Sequence, residues 1–334
     1  MTNRRKFLKT VGATGALGLV AGCTSGGDGG DGGGGGDGGD GDGGDGGEPT
    51  PTPTPVPFGD GRATFYMSPS EPQSLMEAQY QPVKEQLQSE LDVNRVPLQY
   101  AAGYSAVLQT LGGGAGDIGE TGPFAAALGV ANDRCDIILQ RFGYGSWTYA
   151  SVIVTQEDSD IESLSDLEGE RVAFADRLSA SGALYPLYML KQAGLSIGDL
   201  PNDTTDADFT PQFSSHAEAF AALERGQVAA AGVGKFISLN DDRELKSGFR
   251  YVKETDGIPR APIVVSPELS DEEQNAVKEA LIEAPESMYL GEDGEADTDD
   301  DLWFSDVREA SNETYEPVVE VANELGITAE LLDQ

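Results

Sequence analysis

His216 is the only histidine in the chain, and Cys23 and Cys135 are the only cysteines. A Ser-His-Asp triad would have to use His216, but no G-x-S-x-G elbow presents a serine to it, and Gly112-Gly113-Gly114 lacks the Lys-Ser/Thr that completes a P-loop. One histidine and two cysteines also exclude a Cys/His zinc site. Cys135 lies in an apolar stretch and reads as a core thiol, not as a nucleophile. The chain therefore reads as a non-enzyme that needs no cofactor.

The sequence does offer a set of hydroxyl-rich segments where helices should begin: Ser68-Pro69-Ser70, Tyr104-Ser105, Thr121-Gly122 and Ser179-Ala180-Ser181-Gly182. Helix N-termini carry unpaired N–H groups and partial positive charge, so several of them meeting at one cleft could bind an oxyanion without cations. Taken singly, each serine or threonine is an ordinary cap. Only the set points to a ligand.

Elements able to position these segments follow from hydrophobic spacing. Arg62 to Met67 reads as a strand, and Met76, Tyr80, Val83, Leu87 and Leu91 mark one face of a helix. Further strands are expected at Val96–Tyr100, Asp117–Gly119, Ile137–Phe142, Ala150–Thr155, Arg171–Ala175, Val228–Val233, Arg250–Lys253 and Ile263–Val265. Helices are expected at Tyr104–Leu111, after Gly122-Pro123, and at Ser181–Ala193, His216–Arg225, Asp271–Glu283 and Asp306–Leu325. The acidic run Glu292 to Asp301 reads as a solvated loop. Strand-helix alternation predicts an α/β architecture built on parallel sheets.

The N-terminus reads as an address. Asn3-Arg4-Arg5-Lys6-Phe7-Leu8-Lys9 is a twin-arginine n-region, Val11 to Val20 is a short uncharged run, and Val20-Ala21-Gly22-Cys23 resembles a lipobox. The run is shorter than the roughly 20 residues that span a bilayer, so residues 1–22 read as a cleaved signal peptide for export of an already folded protein. Cys23 is expected to carry the lipid that holds the mature chain on the outer face of the cell membrane. Residues 23–58, Gly/Asp repeats followed by Thr-Pro alternation, read as a disordered tether.

The folded part is strongly acidic, because 58 acids face 21 bases in the whole chain and only seven acids lie in the tether. Such a surface argues against nucleic acid and anionic lipid, and its low lysine content matches proteins from concentrated brine. With Cys23 lipidated, Cys135 has no partner for a disulfide in the mature chain.

Several segments resemble the phosphonate/phosphite/phosphate substrate-binding proteins of ABC importers: Tyr149-Ala150-Ser151-Val152-Ile153-Val154, Asp158-Ser159-Asp160-Ile161 with Leu164-Ser165-Asp166-Leu167, Val172-Ala173-Phe174-Ala175-Asp176, Ser179-Ala180-Ser181-Gly182 and Ser215-His216-Ala217-Glu218-Ala219. Gly103-Tyr104-Ser105-Ala106-Val107, Asp117-Ile118-Gly119-Glu120-Thr121-Gly122-Pro123 and Ile258-Pro259-Arg260-Ala261-Pro262 extend the likeness over nearly all of residues 60 to 285. The resemblance implies a type II periplasmic-binding-protein fold, two α/β lobes joined by two crossover strands with the ligand cleft between them. Lobe 1 would be residues 59–154 plus 259–334, and lobe 2 residues 155–258.

The resemblance further implies that a phosphorus oxyanion rests on Ser179, Ala180 and Ser181, with Tyr104, Thr121 and Tyr149 in the site and His216 donating a hydrogen bond or a charge. Aminoalkylphosphonate binders of this family hold the ligand's ammonium with acids at two places, where this chain has Phe236, beside Lys235, and Ala261, beside Arg260. An ammonium left without an anion there would lose several kcal/mol, so phosphate, phosphite or a simple phosphonate is the expected ligand. The implied partners are that small oxyanion and an ABC permease with its ATPase, the chain itself being a monomer. A ligand sensor acting on a membrane receptor, or an enzyme built on the same fold, are the alternative readings.

Overall fold

A computed structural model describes residues 58–240 and 242–333. The export signal, Cys23 and the Gly/Asp and Thr/Pro segments lie outside the described residues. The packed domain includes Phe58, which is buried and donates its N–H to Glu273 Oε1 at 3.0 Å.

The chain opens with β1 (Phe65–Met67), α1 (Gln73–Glu90), β2 (Leu98–Tyr100), α2 (Tyr104–Gly112), β3 (Ile118–Glu120), α3 (Pro123–Ala131) and β4 (Asp136–Gly143). It then crosses over through β5 (Thr148–Gln156) into β6 (Arg171–Phe174), α4 (Tyr185–Gln192), β7 (Thr210–Phe213), α5 (His216–Glu224) and β8 (Ala230–Gly234). It returns through β9 (Phe249–Pro259) and closes with β10 (Pro262–Val265), α6 (Asp271–Ile282), β11 (Phe304–Glu309) and α7 (Glu316–Leu325). These strands form two sheets, ordered β11-β4-β10-β3-β1-β2 and β7-β6-β8-β5-β9. Residues 155 and 258, the expected ends of lobe 2, fall inside β5 and β9 of the second sheet.

Each sheet is mixed, not parallel as expected. β1 runs parallel to β2 and β3, and β6 parallel to β7 and β8. β10 is antiparallel to β3 and β4, and β5 is antiparallel to β8 and β9. The cause is the double crossing. A strand that starts at the junction between the sheets, as β5 and β10 do, runs against strands such as β3, β6 and β8 that end there. Their C-terminal ends consequently meet at the junction, where open α/β sheets bind ligands.

Both faces of each sheet are covered. In β10, Ile263 and Val265 join a cluster with α1 and α6, while Val264 joins one with α2, α3 and α7, as period-2 alternation requires. In β5, Ile153 packs with Leu187 and Leu190 of α4, and Val152 and Val154 with Phe220 and Leu223 of α5. Cys135 is buried just before β4, and burial pushes its thiol up to about 12. Among the described residues no helix is long and apolar enough to cross a membrane.

Two expected helices differ, and one strand was not expected. The helix expected over Asp306–Leu325 is instead β11, a single turn at Asn312–Tyr315, and α7. β11 pairs only with β4, so its outer charges sit on an open edge, and an edge strand carries the polar density of a helix surface. Thr210–Phe213 forms the opposite kind of surprise, an edge strand that tolerates Pro211 because one side needs no partner. Finally, the helix expected from Ser181 begins as a wider π-turn over Ala180–Leu184 before α4.

Candidate functional site

The turn after β6 builds the centre of the site. Ala175 N–H donates to Gly182 O at 2.9 Å, and Asp176 Oδ1 accepts Leu178 N–H at 2.8 Å, which together fold the chain back onto its strand. Ser179 then caps the π-turn: its Oγ accepts Gly182 N–H at 3.1 Å, and its carbonyl accepts the N–H groups of Ala183 and Leu184. The turn itself does not use the N–H groups of Ala180 and Ser181. Ser151 on β5 holds the turn to the sheet by donating to Ser181 O at 2.7 Å.

His216 is the first residue of α5, behind a capping box in which Ser215 and Glu218 satisfy each other's N–H groups. Its ring stands between two neighbours. Gly234 N–H, at the end of β8, donates to Nδ1 at 3.1 Å, and Nε2 lies 3.0 Å from Ser179 Oγ. Burial lowers His216 to about 4, so the ring is neutral, and the bond into Nδ1 places its proton on Nε2. Ser179 Oγ thus accepts from both Gly182 and His216. Its own O–H is left as a donor.

Two tyrosines close around this turn from the other sheet and the crossover. Tyr149 near the start of β5 meets the Ser181 hydroxyl and N–H, and burial nevertheless raises its phenol above the usual value. Tyr104 opens α2, whose N-cap is Gly103, and lies against Gly122, the N-cap of α3. Burial, then the charges of Glu120 and Asp176, keep its phenol protonated. Tyr104, Tyr149 and Ala180 share one apolar cluster with Phe124 and Tyr315. Thr121 is fully buried, and its Oγ1 has no hydrogen-bond partner among the described residues. The structure therefore brings Tyr104, Tyr149, Ala180, Ser181, Ser179 and His216 together, and buries Thr121 one residue before Gly122, which packs against Tyr104.

Not every hydroxyl-rich start joins them. Ser68 donates both its N–H and its hydroxyl to Glu120 Oε1, each at 2.6 Å, and Ser70 turns to Met76 Sδ at 3.4 Å. Glu120 is one half of a buried ion pair that sequence reasoning missed. Its Oε2 lies 3.0 Å from Arg141 Nη2, and Arg141 also donates to Tyr80 Oη at 3.0 Å and to Ala261 O at 3.1 Å. A charge inside each of two apolar strands was the available signal. The pair joins the β1–α1 loop, β3, β4 and the β9–β10 turn, and its charges are fully engaged within the protein.

Phe236, one of the two places where an ammonium would need an acid, is also at the site, while Ala261, the other, is tied through its carbonyl to Arg141. The Phe236 ring lies 5.2 Å from the His216 ring and 6.5 Å from that of Tyr149, while neighbouring Lys235 pairs with Glu254 at 2.5 Å. The nearest acid in the turn, Asp176, is shifted toward its neutral form by burial.

The family model described as "ABC transporter, phosphonate, periplasmic substrate-binding protein" matches residues 65–315. The phosphate-import protein PhnD of Mycolicibacterium smegmatis is 28% identical over 168 residues, which are 48% of this chain, and the match spans about half, 51%, of that protein's length. A binding-protein component of an ABC phosphonate transporter from Pseudomonas aeruginosa superposes with a TM-score of 0.63 at 20% identity, covering 79% of this chain and 86% of that one. PhnD1 of Prochlorococcus marinus, solved in complex with methylphosphonate, gives a TM-score of 0.62 at 18% identity over 79% of this chain and 98% of its own. These likenesses fit the two sheets, the double crossover and the junction described above.

Proposed function

Because the chain belongs to the phosphonate periplasmic substrate-binding family of ABC transporters, we propose that it captures a phosphorus oxyanion, such as phosphate, phosphite or a simple phosphonate, and delivers it to a membrane permease driven by an ATPase. The observation that carries this reading is the hydrogen-bond chain Gly234 N–H to His216 to Ser179. It commits both acceptor positions of Ser179 to the protein and leaves its O–H as a donor. A site of neutral donors (Ser179, Tyr104 and Tyr149 hydroxyls with the Ala180 amide, beside the Ser181 groups that face Tyr149) suits an anion in a chain of formal net charge −37. Thr121 Oγ1, buried and unpartnered among the described residues, is a further donor at the first sheet's edge of the site.

In this reading the two lobes, residues 59–154 with 259–334 and residues 155–258, close on the ligand, and the closed pair of lobe surfaces is what the permease recognises. The ligand is bound and released unchanged. A lipid on Cys23 holds the receptor on the outer face of the membrane, and the tether, read as residues 23–58 but ending before the buried Phe58, lets it range above the lipid.

Calorimetric titration of the purified chain with phosphate, phosphite, methylphosphonate and 2-aminoethylphosphonate tests the proposal. At least one of the first three is expected to bind more tightly than the aminoalkyl compound, since neither Phe236 nor Ala261 can hold an ammonium. Tight, exclusive binding of 2-aminoethylphosphonate would reject that ligand class. Labelling with a radioactive fatty acid, lost on Cys23→Ala, checks the anchor.

A further inference from the structure

Two arginines are buried beside the Trp303 ring, and they differ in one respect. Arg141 lies 4.7 Å from the ring centroid and is neutralised by Glu120. Arg260, in the β9–β10 turn, is only 8% exposed and lies 5.8 Å from the same ring, yet it makes no ion pair with any described carboxylate. Arg141 and Arg260 are the only buried arginines among the described residues, and only Arg141 has a carboxylate beside it. Burying a cation unpaired costs several kcal/mol.

The Arg260 guanidinium is enclosed by rings and is mostly uncommitted. Its centre lies 5.3 Å from the Tyr144 ring and 5.6 Å from that of Tyr149, the tyrosine that meets Ser181. Nε donates to Ser146 O at 2.9 Å, leaving the two terminal nitrogens, which form the fork that pairs with carboxylates. A second arginine, Arg243, stands 4.7 Å from the Tyr144 ring and adds positive charge to the same place. The backbone is fixed independently of the side chain, since Arg260 N–H donates to Trp147 O at 3.0 Å and Arg260 O accepts Tyr315 Oη–H at 2.7 Å.

We infer that Arg260 is a specificity-determining residue that takes a second anionic group of the ligand, so that the preferred ligands are phosphonates bearing a carboxylate. The inference rests on the proposed oxyanion site at Ser179–Ser181: the phosphorus group would sit there, and the carboxylate would lie on the other side of the Tyr149 ring, against the guanidinium. Burial and the neighbouring arginines disfavour the charge of Arg260 when nothing opposes it, and a carboxylate removes that disadvantage.

The test is titration of the purified chain with methylphosphonate, phosphonoacetate and 3-phosphonopropionate. One of the two carboxylate compounds is expected to bind about tenfold or more tightly than methylphosphonate, a difference of about 1.4 kcal/mol. Arg260→Gln is expected to weaken that compound about tenfold more than it weakens methylphosphonate. Arg260→Lys keeps the charge without the fork and should fall between. Equal affinities in the wild-type chain, or a carboxylate preference that survives Arg260→Gln, overturn the inference alone. Binding of no phosphorus compound overturns the oxyanion reading and the inference with it. The wild-type comparison decides even where a variant fails to fold.

Discussion

In the proposed reading, His216 acts on the ligand through Ser179. Sequence comparison left open a hydrogen bond or a charge; the ring is neutral and directs its proton to Ser179. A pH dependence of stability follows. The unfolded histidine takes a proton near 6.5 and the folded one only near 4, so between these values the unfolded state binds more protons and stability falls as the pH is lowered. The contribution is fully present above pH 6.5 and fully lost below pH 4, amounting to about 3 kcal/mol at most. Thermal melts of the wild type and His216→Asn should converge as the pH drops from 7 to 4. Parallel curves would show that the ring is not buried in its neutral form. The residues gathered around the turn after β6 were legible because Ser, Tyr and His recur in a recognisable succession. The Glu120–Arg141 pair and Arg260 were not, because sequence spacing does not reveal which charges fold inward.

At the scale of elements, the geometry depends on the turn between β6 and α4. Gly182 faces Ala175, and a Cβ added there would stand 2.6 Å from His216 Cε1 and 3.0 Å from Ser179 Oγ. Gly182→Ala is therefore expected to cost about 1–3 kcal/mol of stability by overpacking and to lower ligand affinity further by displacing Ser179 from His216. Melting and titration together check this; wild-type affinity in that variant would remove the turn from the site. Most elements could be read from the sequence because α1, α5 and β10 alternate or repeat with clear apolar faces. β11 and β7 could not, being edge strands whose open sides carry charges or proline. The π-turn was equally hidden, since a helix and a π-turn share the same apolar spacing over one turn.

For the whole molecule, charge sets the conditions of stability. A formal net charge of −37 makes the folded chain repel itself, and salt shortens the reach of that repulsion from about 10 Å at 0.1 M to about 3 Å at 1 M. The melting temperature should rise by several degrees between 0.1 M and 2 M potassium chloride, most steeply at the low end. A flat or falling curve would separate the acidic composition from any adaptation to brine. The fold class was legible from strand-helix alternation and resemblance together, but strand direction was not, because it depends on which strands begin at the junction.

That topology also imposes an order of assembly. The second sheet is contiguous in the chain, from Thr148 to Pro259, whereas β10 is the strand that stands between β3 and β4 in the first. During synthesis the second sheet can complete itself as soon as its last strand emerges. β4 meanwhile has neither of its neighbours, for β10 and β11 are still to be made. The lobe that begins first is finished last: β4 waits with both edges open until β10 emerges, and with one edge open until β11, near the end of the chain, is made.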